Sequence, residues 1–168
     1  TPAALDGADV TCGLRDRAGR LWFGSDGAGL ARRDATGTWR VFTTSAGLPS
    51  ARVSTLAEAP DGRVWIGTTA GAARAEPSDR FTVFDQARNE FGQYKLGKVD
   101  ALAVATSGEV WLAASRNTYS LAAGASGTVF ESANGVFGTE VLAASADGAI
   151  WFGYDRGLAR YASNSDWS

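Results

Sequence analysis

Asp26 and Asp155 each stand four residues after a tryptophan, Trp22 and Trp151. A pair of carboxylates at matched positions is what a glycosidase uses as acid and nucleophile. In a turn, the same residue type satisfies neighbouring backbone N–H groups and needs no function, and the surrounding glycines favour that reading. Cys12 is the one cysteine, which excludes an internal disulfide and a cysteine metal cluster. Its place in a strand-like run marks it as an inert small apolar residue. Histidine is absent, which removes Ser-His-Asp and Cys-His nucleophiles and the usual histidine zinc sites. No catalysis, cofactor or metal is therefore expected, and what remains is binding. Two segments are rich in hydrogen-bonding and stacking groups: "DQARNEFGQYKLGK" at 85–98 and "ASRNTY" at 114–119. Arg88, Asn89, Tyr94, Arg116, Asn117 and Tyr119 are the expected binding residues, because tyrosine offers flat amphipathic surface and Arg and Asn supply directed donors.

The elements that position these segments come from a repeat. "DGRVWIGTTAG" at 61–71 has counterparts in "AGRLWFGSDGAG" at 18–29, "SGEVWLAASRN" at 107–117 and "DGAIWFGYDRG" at 147–157. The shared tryptophans are Trp22, Trp65, Trp111 and Trp151, at spacings of 65−22 = 43, 111−65 = 46 and 151−111 = 40. Such spacing marks a structural repeat with elastic loops. Upstream of each Gly-x-x-Trp lies a run of small residues, as in "DALAVA" and "EVLAAS", suited to a strand close to an axis. An Asp-Gly or similar turn leads into the Trp strand, since glycine accepts the positive φ of a tight turn. A third strand follows ("GLARRD", "GAARAE", "TYSLAA", "GLARYA"), then a fourth ("TWRVF" at 38–42, "RFTVF" at 80–84, "GTVF" at 127–130). Four short strands per 40-odd residues make one blade of a β-propeller. The predicted fold is all-β, a single domain over 1–168 with repeats at approximately 1–42, 43–84, 85–130 and 131–168. The tryptophans, recurring at one register, are expected as inter-blade core.

The pattern "V…L…DGxxWxGTxxGxxR", best seen in "VSTLAEAPDGRVWIGTTAGAAR", resembles the two-component regulator propeller repeat, and the resemblance extends over all four copies. It implies a periplasmic or extracellular sensor-type module with a carbohydrate or similar polar ligand. A structural or assembly subunit that docks a partner protein is the alternative. In such a blade the loops entering the first strand and leaving the second open on one face, which brings 85–98 and 114–119 to the same side. The opposite face, made of Asp-Gly and similar two-residue turns, is expected to be too short to shape a pocket.

Bulk properties narrow the partners further. A net charge of −2 and arginines scattered along the repeats leave no basic patch for nucleic acid. The longest apolar run, Ala101–Ala105, is far too short to span a bilayer. The chain lacks methionine, at position 1 included, and reads as processed or as an excerpt. Four complete sets of the first three strands but three full fourth strands, with Trp167 standing where Trp39 and Phe81 do, predict part of a larger ring, completed by further chain or another subunit.

Overall fold

The computed structural model describes residues 5–89, 91–124, 129–154, 157–162 and 166–167; the side chains of Asn89, Tyr94, 129–137 and 166–167 lie outside that description. Within it the chain is all-β, built as four antiparallel blades. The first has strands β1 (Val10–Arg15), β2 (Leu21–Ser25), β3 (Leu30–Arg33) and β4 (Trp39–Phe42) in that order. The second repeats it with β5 (Val53–Glu58), β6 (Val64–Thr68), β7 (Gly71–Ala75) and β8 (Phe81–Phe84). Next come β9 (Gln86–Asn89) and β10 (Gly92–Lys95), then the third blade, β11 (Val99–Val104), β12 (Val110–Ala114), β13 (Asn117–Leu121) and β14 (Val129–Phe137). The fourth holds β15 (Thr139–Ala144), β16 (Ile150–Tyr154), β17 (Gly157–Ala162) and the two-residue β18 (Asp166–Trp167). The first strands β1, β5, β11 and β15 lie side by side along the inner edge. Their small side chains let them approach.

Two local features depart from the sequence expectation. The Asp-Gly-type turns are three-residue loops: Ala59 and Arg63, for instance, close the hairpin by an N–H···O bond of 2.8 Å, with Gly62 at φ 79°. That is the type I turn followed by a left-handed glycine, not a two-residue turn. The segment 85–98 is not an open loop either. Its hairpin β9–β10 joins the outer edge of the third blade through a parallel pairing of β9 with β14, giving the six-stranded order β10-β9-β14-β13-β12-β11.

Blades stack by a repeated rule. Trp22 with Leu30 and Phe42 packs on Val64, Ile66 and Ala73 of the second blade. Trp65 with Phe84 packs on Val110, Leu112 and Tyr119 of the third. Trp111 packs on Ile150 and Phe152 of the fourth. Behind two of these rings lies a cross-strand arginine, Arg32 at 5.3 Å from Trp22 and Arg74 at 5.7 Å from Trp65; such a pair contributes roughly 0.5–2 kcal/mol. The third blade has Ser120 there, and Trp111 meets Tyr161 at 4.8 Å instead. The fourth breaks the expectation of four equivalent buried tryptophans: Trp151 is 39% exposed. Its register is the same, but no blade lies over it among the described residues.

Candidate functional site

The inner strands share a bulge one residue in from their start, between Val10 and Cys12, Val53 and Thr55, Val99 and Ala101, and Thr139 and Val141. A bulge leaves its extra residue out of the ladder and re-aims its side chain. The four bulged residues are Thr11, Ser54, Asp100 and Glu140, so the fold brings them to one mouth beside the inner edge. In the first two blades they tie neighbours together: the Thr11 hydroxyl donates to the Val53 carbonyl at 2.6 Å, and Ser54 to Val99 at 2.5 Å. A carboxylate cannot donate that bond. Asp100 instead accepts an ion pair from Lys98 at 2.6 Å. Blades three and four are joined at this level by the hydroxyls of Thr118 and Thr139, 2.8 Å apart.

Asp100 and Glu140 line a cleft of about 450 Å³ together with Arg116, Gly138 and Thr139. A second cleft of about 490 Å³ shares Asp100 and runs on along Thr11, Asp26, Arg52, Ser54 and Lys98. The mouth alternates in charge, with Arg52, Lys98 and Arg116 against Asp26, Asp100 and Glu140. Asp26, exposed and 3.4 Å from Arg52, is held as an ion pair. Its proposed partner in chemistry, Asp155, lies outside the described residues.

Arg116 reaches this mouth from a strained turn. Ala114 and Asn117 pair directly, leaving a two-residue hairpin in which Ser115 and Arg116 adopt φ 50° and 67°. Glycine or asparagine normally fills such positions, and each other residue there costs about 1–2 kcal/mol. The Arg116 carbonyl accepts the Gly138 N–H at 2.7 Å, which ties the turn to the link between β14 and β15.

Of the residues expected to bind, Arg116 lines the cleft and Asn117 stands half-buried beside it, its amide donating to Ser115 O at 3.4 Å. Tyr119 requires a correction. It is 1% exposed, packed between blades two and three, because its position on β13 faces the preceding blade. Arg88 is exposed on β9, and the pairing order sets β14 between it and the turn that carries Arg116. Asn89 and Tyr94 have their backbones on the same outer hairpin; their side chains lie outside the described set. The sequence reading missed Asp100 and Glu140. Their signal was a departure within an aligned column, Thr11, Ser54, Asp100, Glu140, one residue past the start of each inner strand.

The opposite face is also less plain than expected. Three-residue turns leave inter-blade clefts of about 290 Å³ near Trp22, Arg32 and Glu76, and about 260 Å³ near Trp65, Arg74 and Gly108. Cys12 is half-buried against Gly24, and burial pushes its thiol up, consistent with an inert side chain. No group of three or more Cys, Asp or Glu is placed to hold a metal, and no helix is long and apolar enough to cross a membrane, among the described residues.

Comparison with known proteins bears on this arrangement. Residues 47–70 match the two component regulator propeller family, the repeat recognised in the sequence. No curated protein sequence matches the chain. The extracellular domain described for a hybrid two component system of B. thetaiotaomicron superposes with a TM-score of 0.76 at 15% identity, over 96% of this chain and 25% of that one. PorZ, a surface component of the type-IX secretion system of Porphyromonas gingivalis, gives 0.72 at 15% identity, over 94% and 26%. A virginiamycin B lyase from Staphylococcus aureus, with quinupristin, gives 0.53 at 13%, over 100% and 71%. The likeness is one of fold, and the chain spans about a quarter of the first two structures.

Proposed function

We propose that this chain is a non-catalytic recognition module of the extracytoplasmic sensor type, taking a small polar ligand, such as a carbohydrate, at the mouth between blades three and four. One observation carries the reading. Where the repeat uses a hydroxyl to tie blades together, these two blades substitute Asp100 and Glu140, which face a cleft beside Arg116. Two carboxylates accept pairs of hydroxyl or amino hydrogens and the guanidinium donates a planar pair, a set suited to a polyhydroxylated or amino-bearing ligand. Backbone strain at Ser115 and Arg116 supports it, because strained residues persist where positioning matters. The extracellular domain of the hybrid two component system shares the fold and motivates the sensor role and a periplasmic or extracellular setting. Arg88, Asn89 and Tyr94, on the outer hairpin, are proposed as flanking surface for a longer ligand.

Binding is favoured over turnover by the absence of histidine from the chain. The lyase with a similar fold is described as catalytically inactive once a single histidine is changed to alanine. Isothermal titration against a panel of neutral, amino and acidic oligosaccharides tests the proposal. A ligand bound by the unmodified chain should bind at least about tenfold more weakly to Asp100→Asn combined with Arg116→Ala, at unchanged stability. Equal affinity in that variant would place the site elsewhere.

A further inference from the structure

On the face opposite the mouth, the cleft of about 290 Å³ between blades one and two gathers three arginines. Arg20 and Arg32 come from the first blade and Arg63 from the second. Arg20 stands two residues before Trp22, and Arg32 pairs with Trp22 across the strands. Alternation along the strands therefore sends all three side chains to one face of the sheet. Both guanidiniums lie over the buried Trp22 ring, at 5.5 and 5.3 Å from its centre.

The repeat shows that this arrangement is particular to one cleft. The position two before each blade tryptophan is Arg20, Arg63, Glu109 and Ala149 in turn. Between blades one and two, this column contributes an arginine from each side. Between blades two and three it contributes Arg63 alone, and the turn of the third blade offers Ser107 and Gly108. Between blades three and four it holds no arginine.

The carboxylates nearby do not use up these donors. Asp16 takes Nε of Arg20 and Asp79 takes Nη1 of Arg32, each at 2.5 Å. Arg63 lies no nearer than 3.4 Å to Asp61 and 3.5 Å to Glu76. The Nε of Arg32 is buried without an acceptor among the described residues. Buried donors are nearly always paired, so one left over calls for an explanation.

We propose that this cleft binds a small hydroxy-carboxylate of the sugar-acid kind, its carboxylate on the arginines and its hydroxyls on Asp61 and Glu76. A guanidinium fork matches the plane of a carboxylate and grips it through two parallel bonds. Asp61 and Glu76 line the same cleft and accept from hydroxyl groups, which a bare inorganic anion does not offer. The site is separate from the mouth that holds Asp100 and Arg116, and does not rest on the reading given to it.

Isothermal titration of the chain with D-glucuronate, D-glucose and inorganic sulfate tests this. Glucuronate should bind at least about tenfold more tightly than either of the other two. Arg63→Gln removes a half-exposed guanidinium and should weaken glucuronate by at least about tenfold, with an unchanged circular dichroism spectrum and urea midpoint. Arg20→Lys keeps the charge beside Asp16 but loses the planar fork, and should weaken binding in the same direction. Asp100→Asn combined with Arg116→Ala should leave glucuronate binding intact. No binding of glucuronate, or sulfate bound as tightly, overturns the proposal. So does a loss confined to the Asp100 and Arg116 variant, which would place the sugar acid at the mouth.

Discussion

Asp16 is the one buried charged side chain among the described residues, and it accepts from the Trp22 indole N–H at 2.7 Å, the Arg20 backbone N–H at 2.8 Å and Arg20 Nε at 2.5 Å. Burial pushes its carboxyl up, but these donors and the Arg20 charge together outweigh it and hold the group below the usual carboxylate range. Asp16→Ala leaves the indole N–H without its acceptor and should lower unfolding stability by about 1–3 kcal/mol in urea titrations. Because the folded-state value is depressed, the contribution is complete above the unfolded carboxylate value near about 4. It is lost as pH falls through the folded one, so the variant should show a flatter acid limb. Exposed Asp147, lowered to about 2 by the Ser145 hydroxyl, the Ala149 N–H and Arg160, titrates in the same direction. Gly67→Ala tests how closely the second blade approaches the third. A methyl set 2.5 Å from the Thr55 Cγ2 and 2.8 Å from Val99 must push two strands apart, at about 1–3 kcal/mol by the same titration.

At the scale of elements, the turn Ser115–Arg116 sets binding against stability. Ser115→Asn with Arg116→Gly gives the hairpin its preferred residues and should raise stability by about 1–2 kcal/mol, while removing the guanidinium from the cleft. Arg116→Ala, which keeps a side chain at φ 67°, should lose the binding without the gain. The blades themselves were legible because each strand carries its own signal: glycine before the turn, tryptophan in the second strand, small residues on the inner one. Arg116 was legible as an interruption of that pattern. Tyr119 misled because its side chain depends on strand parity, and one position along β13 decides between the preceding blade and the following one. The hairpin β9–β10 was hidden because its pairing with β14 is made across 40-odd residues, where no local pattern records it. Asp100 and Glu140 were visible only once the bulge showed where that column of side chains points.

At the scale of the whole molecule, each blade touches only its neighbours, so stability should vary along the stack as in other repeat proteins. The second and third blades are each covered on both faces, while the first and fourth have one face open. Amides of β6 and β12 should therefore exchange with deuterium most slowly, and those of β16 and β17, under the exposed Trp151 and Leu158, much faster.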